Sequence, residues 1–324
     1  MKIGILGASG VVGRQMIDCL IEQDIDVEEL VLLASPKSVG QVIKFKDKDI
    51  VIKEASHDSF KGLDIVLGAS SNEVAKTYRD DIVNAGAIFI DNSSAFRMEK
   101  DVPLVIPEIN GDDSKKHKGV ISNPNCSTII TLMAVNAINK LSPIKCMIAS
   151  TYQAVSGAGK GGIDELEKEI IDINHSPSVF PYTIAYNCIP FIGSLKDDDY
   201  TSEEMKMENE GRKILHSSDL KVTCTCVRVP VKRSHCISVS LKCERDLSVD
   251  EVKEALSKQD GVVLYDEPSI KKYPTPLLTS NQDKVYVGRI RKDRVLEGGI
   301  SLFCAGDQIR KGAASNAVGI IKCL

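Results

Sequence analysis

No stretch of this chain stays apolar long enough to cross a bilayer. The longest strongly apolar run, Ile129–Ile138 (IITLMAVNAI), falls far short of the roughly 18 residues a span needs. Neither sign of charge dominates: 41 basic residues against 45 acidic ones give −4 at pH 7, with a pI near 5.8. A chain this close to neutral is not built as a general nucleic-acid binder, although a local basic pocket for a small anion stays open. The ten cysteines include no CxxC pair. Cys224 and Cys226 come closest and would share one face of a strand, but no second pair stands at ligand spacing, so no metal site is expected. All the cysteines but one read as small apolar filler in a reducing compartment. No internal repeat or low-complexity tract occurs. The glycine-rich start MKIGILGASG reads as neither a signal nor a transit peptide, which makes the cytoplasm the default location.

What is present describes a globular protein. Hydrophobic residues make up 43% and charged residues 27%, with a mean hydropathy of −0.06. At roughly 150 residues per domain, 324 residues suggest two domains. In the first part, short apolar strands at 2–6, 29–34, 64–69, 87–91 and 119–122 alternate with helical spacing at 11–22 and 72–85, where Asn72 is the expected N-cap. That alternation argues for a parallel sheet with helices on both faces. A helix is expected from Cys126 to about Lys140, with an apolar face of Ile130, Met133, Ala134, Ala137, Ile138 and Leu141. Beyond about residue 143 the texture changes. Period-two alternation at 222–229 and 235–243 suggests a hairpin across a turn with Pro230 and Arg233, and a second hairpin spans 284–304. Ser248 and Glu251 form a capping box for a helix near 249–258. Residues 195–209 read as a charged, solvated loop leading into a helix, and the tail from about 309 to 323 as helical. Hairpins imply an antiparallel or mixed sheet, hence an α+β second domain.

Four motifs could carry chemistry. Gly7-Ala8-Ser9-Gly10-Val11-Val12-Gly13 follows a strand and opens a helix. Such glycines let a backbone approach a pyrophosphate at a helix N-terminus, although Ala8 breaks the strict GxGxxG pattern and a ligand-free tight turn is the alternative. The second strand ends in Ala34-Ser35-Pro36-Lys37-Ser38, without the acid that would bind ribose hydroxyls. Its hydroxyls and ammonium suit a 2′-phosphate, so NADP is favoured over NAD unless this is an ordinary polar loop. Asn123-Pro124-Asn125-Cys126-Ser127 sets Cys126 at a strand-to-helix junction, where the helix dipole should lower a thiol pKa. Cys126 is therefore a candidate nucleophile, with a buried structural thiol as the alternative. His235 follows Arg228 by seven residues with a turn between them, pairing a candidate general base with a carboxylate clamp. The bland reading of His235 is a satisfied strand histidine.

Taken together these blocks resemble the aspartate-semialdehyde dehydrogenase family, in its bacterial-type branch. The resemblance runs over nearly the whole chain: GASGVVG, DNSSAFRM, VIPEIN, SNPNCST, QAVSGAGKGG, ENEGRKI, RVPVKRSH and RKGAASNAV occur in the family's order. It implies an α/β fold, with an N-terminal Rossmann-like parallel-sheet domain and an α+β catalytic and dimerisation domain carrying a mixed sheet. The implied boundaries are 1–127, completed by a C-terminal helix at 306–324, and 128–305. The implied reaction is the reversible reductive dephosphorylation of L-4-aspartyl phosphate to L-aspartate 4-semialdehyde through a cysteine thioester. NADP would be the cofactor, inorganic phosphate a co-substrate and a homodimer the assembly. The reaction would serve biosynthesis of lysine, threonine, methionine and isoleucine.

By the same resemblance Cys126 is the nucleophile, Gln153 orients the substrate and His235 is the acid–base catalyst. Arg228 would hold the α-carboxylate, Glu210 the ammonium, and Arg97, Asn125 and Lys213 the phosphate. Gly7, Ser9, Gly10, Val11 and Val12 would surround the cofactor phosphates, Ser35, Lys37 and Ser38 the 2′-phosphate, and Ser156, Gly157 and Asn316 the rest of the cofactor. Lys37 stands where the family commonly has arginine, which would weaken NADP selectivity. Two rivals remain: a related reductase of N-acetyl-glutamyl phosphate, which should not need Glu210, and a catalytically dead relative that binds NADP as a sensor.

Overall fold

The structure, a computed structural model, describes residues 1–324 and the side chains of all but Asp197. The chain divides into two compact units, Met1–Asn125 with Ala313–Leu324, and Cys126–Gly312. Among the described residues no helix is long and apolar enough to cross a membrane.

The first unit opens with β1 (Lys2–Leu6), α1 (Val11–Glu22), β2 (Glu29–Ala34), β3 (Val42–Phe45), β4 (Lys48–Val51) and β5 (Lys53–Glu54). It continues through β6 (Ile65–Gly68), α2 (Asn72–Asn84), β7 (Ile88–Asp91), the short α3 (Pro107–Asn110) and β8 (Val120–Ser122). Six strands form one parallel sheet in the order β5-β2-β1-β6-β7-β8. The order reverses direction at β1, as a doubly wound Rossmann-like sheet requires. Alternation along each strand sends side chains to opposite faces. Ile5, Leu32, Leu67 and Ile90 pack with Met16, Ile17 and Leu20 of α1, while Leu6, Leu33, Val66 and Phe89 pack with Ala75 and Ile82 of α2. The N-cap of α2 is Ser71 rather than Asn72: the Ser71 hydroxyl accepts the Val74 N–H at 3.4 Å. A cap must sit in extended backbone with its oxygen over the first turn, and Ser71 has that conformation.

The second unit contains α4 (Cys126–Leu141), β9 (Ile144–Gln153), α5 (Gly159–Ile171), α6 (Ser202–Ile214), β10 (Lys221–Arg228), β11 (His235–Cys243), α7 (Val249–Ser257), β12 (Val262–Leu264), the short α8 (Pro276–Thr279), β13 (Val285–Lys292) and β14 (Ile300–Gly306). Its mixed sheet runs β10-β9-β11-β14-β13-β12. The expected hairpin of 222–229 with 235–243 does not form. β9 lies between them, parallel to β10 and antiparallel to β11. Period-two alternation specifies a strand but not its neighbour, and the connection through Pro230 crosses the end of β9. There Val229 N–H donates to Gln153 O at 3.0 Å, and Val155 N–H to Val231 O at 2.8 Å. The second expected hairpin does form, as β13 and β14. Helix α4 differs from its expected one-faced pattern: every residue from Ser127 to Ile138 is buried, whereas Leu141 is exposed. A helix packed against α6, α7 and the sheet has no solvent face to keep polar.

The last helix, α9 (Ser315–Ile321), continues a π-helical turn at Arg310–Ala314. Its Ala317, Val318, Ile320 and Ile321 join the core that α1 makes with the parallel sheet.

Helix α6 begins in a capping box: Glu204 N–H donates to Thr201 Oγ1 at 3.3 Å, and Thr201 N–H to Glu204 Oε2 at 2.7 Å. Thr201→Ala is expected to cost about 1 kcal/mol of stability, read as a lower urea midpoint at unchanged slope. An unchanged midpoint would mean the box does not hold this helix.

Candidate active site

Sheet register builds the site in the second unit. Arg228, the last residue of β10, pairs with Gln153, the last residue of β9. Cys236 of β11 pairs with Tyr152, so His235 reaches the same level on the other side. Three strand ends thus present Arg228, Gln153 and His235 side by side, and all three are buried. The odd spacing of Arg228 and His235 is harmless because they stand on different strands.

Each side chain is fixed by a specific bond. His235 Nδ1 accepts the Ala154 N–H at 3.0 Å. A backbone N–H can be met only by an unprotonated ring nitrogen, so the neutral ring carries its proton on Nε2. Nε2 is buried and has no hydrogen-bond partner among the described residues. Burial drives the His235 pKa from its ordinary value of 6.5 down to about 3, with the Arg228 charge adding to the fall and Glu203 opposing it. Arg228 Nη1 donates to Ala154 O at 2.6 Å. Gln153 accepts from Thr151 Oγ1 at 2.9 Å and donates from Nε2 to Glu203 Oε1 at 3.2 Å. An amide NH₂ has two hydrogens, and the bond to Glu203 uses one of them. Gly157 makes room for the cluster: a Cβ there would lie 2.8 Å from Arg228 Nη1 and 3.5 Å from His235 Nε2.

Cys126 is the first residue of α4, half-buried, and close enough for its charge to bear on Arg228. A Cβ on Gly312 would meet Cys126 Cβ at 2.9 Å, so glycine is required behind the sulfur-bearing residue. Lys206 Nζ lies 2.8 Å from Glu203 Oε2. Neither Glu203 nor Lys206 stands out in the sequence; Glu210 and Lys213 have the same three-residue spacing and lie seven residues on, about 10 Å further along α6. The structure brings Glu203, not Glu210, to the Gln153 amide. Ser156 is buried and bonded to the side chain of Gln308, which also accepts the Ser234 N–H beside His235 at 2.8 Å.

The remaining predicted residues belong to the first unit. Gly7 turns at φ +93°, and a Cβ there would lie 2.4 Å from Ala69 O. Gly10 is the extended, exposed N-cap of α1 and offers no side-chain cap. Ser9, Val11 and Val12 are half-buried around it. A tight turn that leaves helix N–H groups uncapped fits a dinucleotide's phosphates. Ser35 and Lys37 are exposed and Ser38 half-buried on the turn after β2. Asn316 is buried and spends both amide hydrogens, on Val105 O at 3.0 Å and on Asn123 Oδ1 at 2.7 Å. Arg97 is buried and donates to Asn92 O at 2.9 Å. Asn125, also buried, immediately precedes Cys126 in the chain.

His235 stays neutral in the fold but can protonate in the unfolded chain. Between about pH 6.5 and about pH 3 the unfolded state therefore binds one more proton, and stability falls as pH drops through that window. From pH 7 to pH 5 the native chain should lose about 2 kcal/mol more than His235→Asn, measured by urea unfolding at both pH values. Parallel pH dependences in the two proteins would contradict a buried neutral ring.

Two family models match the chain: "Semialdehyde dehydrogenase, NAD binding domain" over residues 2–117 and "Semialdehyde dehydrogenase, dimerisation domain" over 135–311. Curated relatives named aspartate-semialdehyde dehydrogenase include one from Aquifex aeolicus, 44% identical and covering 100% of this chain and 97% of its own length. One from Campylobacter jejuni is 46% identical, covering 98% and 96%. The solved structure of aspartate semialdehyde dehydrogenase II from Vibrio cholerae, complexed with ASA, superposes with a TM-score of 0.97 at 36% identity, covering 100% and 97%. The Candida albicans enzyme with NADP gives 0.78 at 26%, covering 100% and 98%. With both family models and full-length relatives in agreement, this chain belongs to the aspartate-semialdehyde dehydrogenase family of oxidoreductases.

Proposed function

We propose that the chain interconverts L-aspartate 4-semialdehyde and L-4-aspartyl phosphate, with NADP as cofactor and Cys126 as nucleophile, in the biosynthesis of aspartate-derived amino acids. The observation that carries this reading is the row of Arg228, Gln153 and His235 at three adjacent strand ends, with Glu203 bonded to Gln153. A substrate with a carboxylate, an ammonium and an aldehyde needs a cation, an anion and an oxyanion donor within one small volume. Arg228 takes the carboxylate. Glu203 takes the ammonium role first given to Glu210, and Lys206 beside it takes the phosphate role first given to Lys213. A substrate whose nitrogen is acylated brings no cation for that carboxylate to attract, which disfavours the N-acetyl-glutamyl phosphate alternative.

In the oxidative direction the Cys126 thiolate adds to the aldehyde carbon. A C–S bond forms, and the carbonyl electron pair moves onto oxygen. That oxyanion accepts from His235 Nε2–H and the Gln153 amide, and one such donor is worth about 10²–10³ in rate. His235 thus works as a neutral donor: its Nε2 already carries the proton, and the lone pair of Nδ1 is taken up by a backbone N–H. NADP, when bound, would supply the hydride exchange that interconverts the thiohemiacetal and the thioester on Cys126. Phosphate then attacks the thioester carbon, the C–S bond breaks and Cys126 leaves as thiolate, giving the acyl phosphate. Arg97 and Asn125 are proposed as phosphate ligands.

For the cofactor, the Gly7–Gly10 turn would hold the pyrophosphate, with Ser9, Val11 and Val12 around it. Ser35, Lys37 and Ser38 would face the 2′-phosphate, with Ser156, Gly157 and Asn316 toward the rest of the molecule. Residues 1–127 with 306–324 would form the cofactor domain and 128–305 the catalytic one. Homodimerisation is supported by the mixed sheet, where Ile148 and Tyr152 of β9 stand exposed and Tyr152 lies 6.1 Å from the Phe303 ring.

Initial rates of cofactor reduction by aspartate semialdehyde, with and without phosphate and with NADP or NAD, test the reading. Reduction should require phosphate and favour NADP. Cys126→Ala should lower turnover at least about 10³-fold while leaving NADP affinity nearly unchanged. Phosphate-independent reduction, or equal turnover in the variant, would remove the thioester route.

A further inference from the structure

Helix α5 carries two buried carboxylates four residues apart, Glu165 and Glu169, which therefore share a face. Both are turned toward backbone. Glu165 Oε2 accepts the Ser178 N–H at 2.6 Å, the Ser178 hydroxyl at 2.7 Å and the Val179 N–H at 2.6 Å, while Oε1 accepts the Phe180 N–H at 3.0 Å. Glu169 Oε2 accepts the N–H groups of Ile184 and Ala185 at 2.8 and 2.9 Å. Residues 178–185 form neither helix nor strand, so their N–H groups need acceptors from elsewhere. Two carboxylates supply them. Burial opposes the charge of Glu165, but the bonds from Ser178, Phe180 and Val179 hold its carboxyl below the usual carboxylate range.

The clamped segment leads to the candidate site. The Phe180 ring lies 5.7 Å from the Arg228 guanidinium. Gly162 of α5 allows this closeness, since a Cβ there would lie 3.0 Å from Phe180 Cζ and 2.3 Å from Val155 O. Phe180, Val179, Phe191 and Ile192 wall a cavity of about 460 Å³ whose charged lining residue is Arg228. With Nη1 held by Ala154 O and the ring beside the guanidinium, Arg228 has little freedom to swing. A two-pronged carboxylate contact needs that fixed orientation.

We propose that Glu165 is a positioning residue for substrate binding: by clamping residues 178–180 it sets Phe180 against Arg228 and so aims the guanidinium at the substrate's α-carboxylate. The inference rests on the reading of Arg228 as the carboxylate clamp. Its test uses the full-length enzyme with NADP and phosphate, comparing native chain, Glu165→Gln, Phe180→Leu and Arg228→Lys. Each is assayed with aspartate semialdehyde and with 3-aminopropanal, the same aldehyde lacking the carboxylate.

Both Glu165→Gln and Phe180→Leu should raise KM for aspartate semialdehyde about fivefold or more, with kcat within about twofold. KM for NADP and the kinetics with 3-aminopropanal should stay at native values. If Glu165→Gln does not fold, Phe180→Leu decides alone. Unchanged KM in the folded variants, or equal losses with both aldehydes, would overturn the positioning role. Should Arg228→Lys treat both aldehydes as the native chain does, the clamp itself is wrong and both readings fall. A carboxylate-dependent loss confined to Arg228→Lys would leave the clamp standing and refute Glu165 alone.

Discussion

Strand β9 lies between β10 and β11, and the hydrogen bonds at its C-terminal end hold the side chains of both neighbours. Ala154, the next residue, uses its N–H on His235 Nδ1 and its C=O on Arg228 Nη1. One peptide unit therefore fixes the tautomer of the imidazole and the position of the guanidinium. Neither group would enter such a place unaided, because burial disfavours the charged form of each. The ring accommodates this by staying neutral. The guanidinium remains charged, and its interaction with Glu203 and Cys126 partly offsets the burial. In the proposed reaction these donors are already aimed at the position where negative charge would develop, with their reorganisation completed at folding.

Glycine enforces the same economy of space. Gly157 lies against Arg228 and His235, Gly312 against Cys126 and Gly162 against Phe180, and in each case a methyl group would intrude on a functional side chain or its support. These three positions have no φ in the left-handed region, so the requirement comes from close approach and not from backbone conformation. At Gly7 both reasons apply, since its φ is +93° and Ala69 O is only 2.4 Å from where a Cβ would stand.

Features set by local chemistry were legible in the sequence. The turn before α1 and the Ser248–Glu251 capping box depend on residues a few positions apart, and the structure has both. Strand pairing is not local. Alternation at 222–229 and 235–243 marks two strands, yet nothing in either segment says that β9 will separate them. Glu203 does not stand out from Glu210 in the sequence for a related reason. Glu203-x-x-Lys206 and Glu210-x-x-Lys213 repeat one spacing seven residues apart, on nearly the same face of α6. Only the start of the helix, set by Thr201, and the register of the sheet beneath it decide which carboxylate meets Gln153. Apolar spacings of three and four make helix α4 look one-faced, yet Ser127, Thr128, Thr131 and Asn136 are buried as well.

The proposed chemistry depends most on the imidazole of His235, held neutral with its proton on Nε2. Nitrogen-15 NMR of the imidazole side chains, with His235 assigned through His235→Asn, reads both the tautomer and its titration. The predicted result is a ring with Nδ1 unprotonated and Nε2 protonated, showing no protonation between pH 8 and pH 5. A ring protonated on Nδ1, or one that titrates near pH 6.5, would contradict the account.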